Sequence, residues 1–459
     1  MKSMGIRSIF VAAFVLLLAG RPSETNAGTL TNLHSFIGSD GYCPVGALVQ
    51  GSDGNFYGTT AGGGANSLGN VFSISPSGTL TNLYSFSGPP NDGSHPHSSL
   101  VPGNDGNFYG TAYSGGASNA GIVFRISPSG SFTNLWSFTG GNDGAYPQAG
   151  LVQGNDGNFY GTTYSGGDSN AGTLFRISPS ASFTNLWSFT GGSDGAKPWA
   201  GLLQGSDGNF YGTTYSGGDS NAGTVFRISP SASFTNLWSF TGGSDGANPE
   251  AGLAQGTDGD FYGTTARGAT SNAGSVFRIS PSGTLTTLYS FSGGSDGTAP
   301  WAGLLQGSDG NFYGTTAGGT GTVFRISPSG SFTNLYSFQG TDGSNPSAGL
   351  VQGIDGAFYG TTRFGGAASD GTVFRLIVPL SPPPNQISGI WLDGTNIVIT
   401  IPSIAGEIYQ LQSRESLVDG DWSNVADACV SNSIGGSLTL TDFGAASQAQ
   451  RFYRFGITP

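Results

Sequence analysis

Short apolar and aromatic stretches alternate with Gly, Pro, Ser and Asp along most of the chain, and they return in the same order many times. In one copy the stretches are AGLLQG (200–205), NFYGTT (209–214), TVFRIS (224–229) and SFTNLWSF (233–240). Stretches of this length, rich in Phe, Tyr, Val and Thr and bounded by turn residues, are typical of β-strands. After residue 27 no apolar pattern reaches helical length, so the sequence predicts an all-β fold.

One aspartate that recurs in every unit gives the number and the length of the repeats. It recurs at spacings of 52, 51, 51, 51, 51 and 46 residues, at Asp53, Asp105, Asp156, Asp207, Asp258, Asp309 and Asp355. Repeats of this period indicate a repeat architecture, and four antiparallel strands in each unit describe a propeller blade. The Asp-Gly of SDGN and the Pro-Ser-Gly of SPSG suit tight turns between neighbouring strands. The pattern therefore predicts a seven-bladed β-propeller over residues 28–380.

The two ends of the repeat array predict how the ring closes. The seventh unit runs from Val373 and Phe374 into VPLSPPP, so it lacks the TNLYSF stretch of the other units. An orphan copy of that stretch, GTLTNLHSF, occupies residues 28–36. Pairing of the two would complete the last blade and cover its exposed sheet edge. We therefore predict that the N-terminal strand closes the propeller.

Aromatic residues recur in nearly every unit, as Phe210 and Tyr211 do with Phe226 and Phe240. Rings of this size bury enough area to pack one blade against the next, so we assign them to the core. An arginine also recurs in the VFRIS stretch, at Arg125, Arg176, Arg227, Arg278, Arg325 and Arg375. Because six converging like charges would repel, each arginine is expected to find a partner within its own blade.

The first 27 residues have a different character from the repeats. Lys2 and Arg7 precede an apolar run of about a dozen residues, and small residues follow, which is the pattern of a secretory signal peptide cleaved before Gly28. That run is shorter than the roughly 20 residues that a membrane span requires. We expect a protein that is secreted or held at the cell surface or in the periplasm, without a membrane span.

Charge and cysteine content narrow the choice of partners. The whole chain has a net charge of −12, and without the three basic residues and one acidic residue of the signal segment it has −14. A basic footprint for nucleic acid is therefore missing. Cys43 and Cys429 are the two cysteines, and they are either a disulfide or two isolated thiols. The expectation is a monomer.

The repeat unit GLVQGxDGNFYGTTxxGGxxxxGTVFRISPSGxxTNLYSF resembles the GloVer (Gloeo/Verruco) tandem repeat of exported bacterial proteins. The resemblance covers about residues 28–377 and rests on the whole phrase, which recurs seven times. It implies a β-propeller at or beyond the cell surface. It implies no known reaction, and no catalytic residue is carried over from it.

A different composition follows the repeats. SPPPNQ (381–386) has the composition of a linker, and alternating strands such as NIVITIP and EIYQLQSRE predict a small β-sandwich over residues 387–459. The stretch IYQLQSRESLVDGDWSNV, with QRFYRFG near the end, is similar to a fibronectin-III-like module of secreted proteins of Verrucomicrobia-type bacteria. The chain ends three residues after RFYRFG without an apolar tail, so we expect release or non-covalent attachment to the surface.

Departures from the repeat point to a binding site. Immediately before each inner strand one position varies while its surroundings do not, and it is occupied by Val45, His97, Gln148, Trp199, Glu250, Trp301 and Ser347. If the strands run from the axis outward, these residues ring the central channel on one face. Trp199, Glu250 and Trp301 come from consecutive blades and combine aromatic faces with an acid, which suits a sugar. For either tryptophan alone, the filling of a gap at a blade rim is the better explanation.

Other candidates surround this centre. His97, Gln148 and Arg363 join the predicted ligand site, whereas His95 and His97 as a zinc pair would need a third ligand and are expected to be solvated. Oxygen-rich loops such as TGGSDGA leave Ca²⁺ open as an alternative, although Asp and Asn also form turns. No other cofactor is expected.

Three functions remain after this inspection. The first is a non-enzymatic binding or scaffold protein that recognises glycan or a cell-surface partner on the loop face of the propeller. The second is a polysaccharide-active enzyme using the same face, which is weakened because glycoside chemistry calls for two carboxyl groups and Glu250 is the one glutamate of the ring. The third is a purely structural repeat protein.

Overall fold

The computed structural model describes seven segments of the chain: residues 28–378, 389–393, 396–403, 408–414, 423–431, 436–443 and 452–458. They fall into two compact units that divide after Val378. All regular elements within these segments are β-strands, which agrees with the all-β prediction. The predicted signal peptide (1–27) and linker (381–386) lie outside the described residues, so both stay predictions.

Residues 28–378 form seven four-stranded antiparallel sheets, the blades of the predicted β-propeller. The first three blades contain β2 (Val49–Gln50), β3 (Phe56–Thr60), β4 (Asn70–Ile74) and β5 (Leu80–Ser85); β7 (Val101–Pro102), β8 (Phe108–Ala112), β10 (Ile122–Ile126) and β11 (Phe132–Ser137); and β12 (Val152–Gln153), β13 (Phe159–Thr163), β14 (Thr173–Ile177) and β15 (Phe183–Ser188). A separate two-stranded ladder joins β6 (Gly93–Ser94) and β9 (Ser114–Gly115).

The remaining blades repeat the arrangement. The fourth to sixth contain β16 (Leu203–Gln204), β17 (Phe210–Thr214), β18 (Thr224–Ile228) and β19 (Phe234–Ser239); β20 (Ala254–Gln255), β21 (Phe261–Thr265), β22 (Ser275–Ile279) and β23 (Leu285–Ser290); and β24 (Leu305–Gln306), β25 (Phe312–Thr316), β26 (Thr322–Ile326) and β27 (Phe332–Ser337). The seventh combines β28 (Val351–Gln352), β29 (Phe358–Thr362) and β30 (Thr372–Ile377) with β1 (Thr29–Ser35) from the other end of the repeats.

The repeated phrase SDGNFYGTT builds a turn and fastens it to the core. In the fourth blade one carboxylate oxygen of Asp207 accepts a hydrogen bond from the backbone N–H of Asn209 at 3.0 Å. Its other oxygen accepts from the hydroxyl of Tyr211 at 2.8 Å, and Tyr211 is 0% exposed. Burial and the Asp207 carboxylate raise the pKa of Tyr211 to about 12. Gly208, at φ +81°, supplies the left-handed backbone of the turn.

Aromatic rings hold neighbouring blades together, as predicted. Tyr160 of the third blade stacks on Phe210 of the fourth, with ring centroids 4.0 Å apart. Phe189 meets Phe226 edge to face at 5.4 Å across the same interface. The central glycine of the FYGTT strand permits this packing, because a Cβ on Gly212 would lie 2.6 Å from the ring of Phe226.

The first and seventh blades meet through contacts of the same kind. Phe56 stacks on Tyr359 at 4.0 Å, and the backbone N–H of Ile354 donates to the side-chain carbonyl of Gln50 at 3.1 Å. β1 pairs antiparallel with β30, in a register from Thr29 opposite Ile377 to Ser35 opposite Thr372, with an irregularity between Asn32 and His34. That the ring depends on β1 for its closure stays a prediction.

The repeated arginines lie on the partly exposed side of the third strand of their blades. Arg375 pairs with Asp355 at 2.8 Å, and Arg278 lies 3.6 Å from Asp260. In both cases the partner belongs to the same blade, as expected. Arg375 and Arg278 are therefore paired within their own blades, and the same arrangement stays a prediction for the other four arginines.

The second unit contains six strands in two three-stranded antiparallel sheets. Their bounds are β31 (Gly389–Asp393), β32 (Asn396–Ser403) and β35 (Gly436–Asp442) in one sheet, and β33 (Ile408–Arg414), β34 (Ser423–Ser431) and β36 (Phe452–Thr458) in the other. Ile399, Leu411, Val425 and Leu440 form one buried cluster with members from both sheets. The assignment to a fibronectin-III-like module stays a prediction.

Candidate functional site

The inner strand of each blade is shorter than the sequence suggests. In the fourth blade it contains only Leu203–Gln204, whereas the stretch AGLLQG predicted a strand over residues 200–205. The preceding residues pack against the neighbouring blade instead, where the carbonyl of Ala200 accepts a hydrogen bond from the Thr162 hydroxyl at 3.2 Å. Because this carbonyl bonds to the neighbouring blade, the residues before Leu203 do not join the strand pairing, and the chain leaves the sheet at the axis.

Three consecutive residues from each blade line a cavity of about 160 Å³, which we call the axial cavity. The first residue of each triplet is the variable position of the repeat, occupied by Val45, His97, Gln148, Trp199, Glu250, Trp301 and Ser347. All seven are partly exposed. The structure therefore brings together the positions at which the repeats differ, including five of the six predicted ligand-binding residues.

Close backbone contacts keep this cavity narrow. A Cβ on Gly201 would lie 3.2 Å from the carbonyl oxygen of Gly150, and one on Gly252 would lie 3.1 Å from that of Gly201. Gly303 repeats the contact with Gly252 at 3.2 Å. The third position of the triplet is therefore restricted to small residues, while the first position is free to vary.

Trp199 is held in place by other rings of the same face. Tyr164 meets it edge to face at 5.4 Å, and Tyr215 lies tilted at 5.7 Å. Lys197, two residues before it, places its ammonium group 5.5 Å from the centroid of the Tyr164 ring. Both Trp199 and Trp301 remain partly exposed to the cavity, so an apolar ligand face can reach them.

Glu250 is the acidic residue of the cavity wall. Burial raises the pKa of its carboxyl group to about 7, and the nearby positive charge of Arg267 offsets only part of that effect. Arg267 itself is exposed. A carboxyl group with this pKa changes its charge near neutral pH, and in its protonated form it can both donate and accept hydrogen bonds.

His97 and Gln148 form a polar pair across two blades. The Nδ1 atom of His97 lies 3.0 Å from the side-chain oxygen of Gln148, and the imidazole stacks on Tyr113 at 5.1 Å. Burial lowers the pKa of His97, so the ring is mainly neutral at pH 7. The expectation of a solvated histidine is therefore wrong for His97, because its ring is covered by Tyr113. His95 lies apart, 3.2 Å from the Ser114 hydroxyl.

Arg363 is placed at the rim and is not among the residues that line the cavity. Its Nε atom lies 3.2 Å from the sulfur of Cys43, and its guanidinium lies 5.1 Å from the centroid of the Phe364 ring. Cys43 is a buried, free thiol within the described residues. The side chain of Cys429 lies outside them, so its pairing stays open.

The carboxylate groups of the oxygen-rich loops accept hydrogen bonds from within their own loops, as Asp194 illustrates. One carboxylate oxygen of Asp194 accepts from the indole N–H of Trp187 at 3.3 Å and from the backbone N–H of Thr190 at 2.9 Å. The other accepts from the Thr190 hydroxyl at 2.5 Å. This carboxylate closes a turn, which argues against it as a calcium ligand. Nowhere in the described chain do three or more His, Cys, Asp or Glu side chains form a potential metal site.

Sequence inspection missed the tyrosines that surround the cavity on one side. Tyr113, Tyr164 and Tyr215 follow the second strand of blades two to four, and Tyr146 precedes the proline before the third inner strand. The sequence did contain a signal for them, because the position after the second strand varies between blades: Ala61, Ala266 and Ala317 occupy it in three others. Only the structure shows that they stack on one another and on cavity residues.

Comparisons with known proteins identify the repeats. A family model for the Gloeobacter/Verrucomicrobia repeat matches residues 23–155, 137–318 and 282–381, which together span most of the chain. A comparison with curated proteins finds no match. In the described part of the chain, no helix has the length and hydrophobicity that a membrane crossing requires.

Several solved structures are similar at low identity. Two extracellular domains of B. thetaiotaomicron proteins, named as hybrid two-component systems, match with 10% and 12% identity and TM-scores of 0.49, covering 90% and 87% of this chain. The chain spans about half of their length, 53% and 47%. A Bacteroides uniformis protein named as a 6-phosphogluconolactonase matches with 14% identity and a TM-score of 0.46, over 86% of this chain and 98% of its own.

Proposed function

The chain belongs to the Gloeobacter/Verrucomicrobia repeat family, and from that premise we propose that it is a non-enzymatic binding protein that recognises glycan at the axial cavity, outside the cytoplasm. The signal-peptide pattern before Gly28 supports the location. One observation carries the rest of the proposal: the variable position of all seven repeats faces one cavity, where Trp199, Glu250 and Trp301 come from three consecutive blades.

The chemistry of the wall suits a sugar. A sugar ring has an apolar face that stacks on indole rings and hydroxyl groups that need hydrogen-bond partners. Trp199 and Trp301 supply the indoles, and Glu250 lies between them in blade order. Among the described residues the Glu250 carboxyl group makes no hydrogen bond with the protein, so it is available to a ligand hydroxyl. His97 and Gln148 add a polar pair on the two blades that precede that of Trp199.

The raised pKa of Glu250 also favours a second candidate, an enzyme that uses this group as a general acid. Glycoside hydrolysis calls for a second carboxylate roughly 5 to 10 Å from the first. The cavity wall contains no other acidic residue in the part of the chain that the structure describes. We therefore favour binding over catalysis, and Glu250→Gln separates the two, because a catalytic acid would be needed for turnover but not for binding.

The repeats themselves provide substitutions that the fold tolerates. Gln148, Glu250 and Ser347 occupy equivalent positions, so Trp199→Gln, Trp301→Ser and Glu250→Gln place at each site a residue that the same position accepts in another blade. The full-length protein and these variants would be tested on an array of polysaccharides and oligosaccharides. We expect Trp199→Gln and Trp301→Ser to weaken binding by about tenfold or more, since each removes a stacking surface.

A matched tryptophan outside the cavity controls for unspecific effects. Trp238 lies on the outer strand of the fourth blade with its indole N–H 3.2 Å from Asp245, and Tyr289 occupies the same place in the fifth blade. Trp238→Tyr should therefore leave glycan binding unchanged. Loss of binding in Trp238→Tyr as well would refute a specific site in the cavity. Retention of full affinity in Trp199→Gln would refute the proposed role of Trp199, and no binding by the unaltered protein would refute the glycan proposal.

A further inference from the structure

The loop face of the propeller is asymmetric: at two loop positions of each blade, tyrosines occur only in blades two to four, although Tyr42, Phe364 and Trp301 place further rings at other positions of blades one, seven and six. Two positions per blade decide this: the residue before the conserved proline, and the residue after the second strand. In blades two to four they are His95 and Tyr113, Tyr146 and Tyr164, and Lys197 and Tyr215. In blades five, six, seven and one they are Asn248 and Ala266, Ala299 and Ala317, Asn345 and Arg363, and Cys43 and Ala61.

The rings of blades two to four are connected to the cavity at two points. From His97 in the cavity wall, the stack continues to Tyr113 at 5.1 Å and on to Tyr146 at 5.0 Å. From Trp199 in the wall, contacts run to Tyr164 at 5.4 Å and to Tyr215 at 5.7 Å. We call His97, Tyr113, Tyr146, Tyr164, Trp199 and Tyr215 the aromatic strip.

The two parts of the strip are joined and partly open to solvent. The backbone N–H of Tyr164 donates to the carbonyl of Tyr146 at 3.1 Å, which ties the third blade's rings together. Tyr146 ends the stack that begins at His97 and is 37% exposed, so its ring is accessible to a ligand; Tyr42 and Phe364, in blades one and seven, are exposed to a similar degree. A ligand that extends from the cavity over the third blade would meet Tyr146 and Tyr164, the aromatic residues of that blade's loops.

The size of the cavity shows why such a strip would be needed. A volume of about 160 Å³ is close to that of an engineered cavity of about 150 Å³ that holds benzene. It is therefore on the scale of a single ring. Specific binding of a larger molecule therefore requires contact area outside the cavity, and the partly exposed rings of the strip, which contact the wall residues His97 and Trp199, offer it.

We propose that the aromatic strip binds the continuation of a linear glycan whose terminal sugar occupies the axial cavity, so that the protein recognises chain ends. This inference rests on the proposed function. The terminal residue lies against Trp199 and Glu250, and the next residues stack on Tyr146 and Tyr164. The alanines of blades five and six, Ala266, Ala299 and Ala317, take no part in binding the residues beyond the terminal sugar.

Chain length is the variable that tests the strip. The full-length protein is titrated by calorimetry with cello-, xylo-, manno- and galacturonate oligosaccharides, from monomers to hexamers. For the series that binds, affinity should rise by about threefold to tenfold for each of the first added residues, as expected for sugar–aromatic stacking, and then level off. Equal affinity at every length, with Trp199→Gln still weakening binding by about tenfold or more, would overturn the strip and leave the cavity site intact.

Variants of the strip can follow residues that other blades already use. Tyr146 has φ 56°, and Asn248 and Asn345 occupy its position with φ 52°, so Tyr146→Asn preserves the backbone. Tyr164→Ala copies Ala266 of the fifth blade. Tyr146→Asn should reduce tetramer affinity toward that of the monomer and leave monomer affinity unchanged. Tyr164→Ala should reduce tetramer affinity as well and should also weaken monomer binding, because Tyr164 contacts Trp199.

The control is Ala299→Asn, which makes the same type of change on the opposite side of the ring, at φ 55°. It should bind every length as the unaltered protein does. A loss of monomer affinity in Tyr146→Asn, or a loss of tetramer affinity in Ala299→Asn equal to that in Tyr146→Asn, would overturn the assignment of the strip. If no oligosaccharide of any series binds, the proposed function fails together with the strip.

Discussion

Deletion of residues 28–36 should open the ring between its first and seventh blades. β1 belongs to the sheet of the seventh blade, where it covers the edge of β30. Phe36, directly after β1, is 0% exposed and meets Phe72 of the first blade edge to face at 5.4 Å. One segment therefore completes a sheet on one side of the seam and fills the core on the other. Without it, both the edge and the core of the seam become exposed.

The expected loss is a large part of the total stability. Truncation of a buried phenylalanine costs about 3 to 5 kcal/mol, and Phe36 is only one residue of the segment. The paired backbone of β1 adds hydrogen bonds worth about 0.5 to 1.5 kcal/mol each. A folded domain usually has about 5 to 15 kcal/mol in all. The deletion should therefore lower the melting temperature sharply, and the uncovered edge of β30 should promote association between molecules.

The assay combines thermal unfolding with addition of the missing strand as a peptide. The deletion variant is melted alone, with a synthetic peptide of residues 28–36, and with a scrambled peptide of equal composition. We expect the native peptide alone to raise the melting temperature in a saturable way. Phe36→Ala should reproduce part of the loss, whereas Ile354→Ala, at a residue that is 89% exposed, should not. An unchanged melting temperature after deletion would refute closure by β1.

Single residues allow three more tests. Burial raises the pKa of Glu250 to about 7, so the folded protein still holds a proton on this carboxyl group at pH values where the unfolded chain has released it. Proton binding therefore stabilises the folded state at low pH, and this contribution is lost as pH rises through about 7. Glu250→Gln should therefore melt above the unaltered protein at pH 8 and converge with it as pH falls to the ordinary glutamate range; parallel curves would contradict this. Tyr211→Phe should cost about 1 to 2 kcal/mol in urea unfolding, and Asp207→Ala should cost more, because it leaves the Tyr211 hydroxyl buried without its partner at 2.8 Å. Ala299→Asn should raise stability by about 0.5 to 1 kcal/mol, since asparagine tolerates φ 55° better than alanine; a lower melting temperature would refute that.

The fold could be predicted from the sequence because the turns, strands and core positions of each blade are determined by residues that lie close together in the chain. The turn of Asp207 and Gly208, the alternation in FYGTT and the position of Phe226 are all decided within a few residues or one hairpin. Seven copies of such a unit leave few arrangements other than a ring. The variable positions could also be located, because their departure from the repeat is visible without knowledge of their surroundings.

The environment of those positions could not be predicted, since it depends on contacts between blades. His97 is covered by Tyr113 and bonded to Gln148 of the next blade, and no local pattern indicates either contact. The pKa of Glu250 likewise depends on how deeply the axial cavity buries it. Arg363 was assigned to the ligand site from its loop, but its guanidinium turns toward Cys43 of the neighbouring blade.

The geometry of the ring explains why function is concentrated at one position per repeat. At the second position of the triplet, the carbonyl of Ala251 accepts from the Thr213 hydroxyl of the preceding blade at 3.1 Å. At the third, a Cβ on Gly252 would lie 3.1 Å from the carbonyl oxygen of Gly201, and the equivalent residues of other blades are no larger than Ala47 and Ser99. Only the first position has freedom to vary without loosening an interface between blades. A sevenfold scaffold of this kind binds an asymmetric ligand by differing at that position, and the succession of Trp199, Glu250 and Trp301 is such a difference.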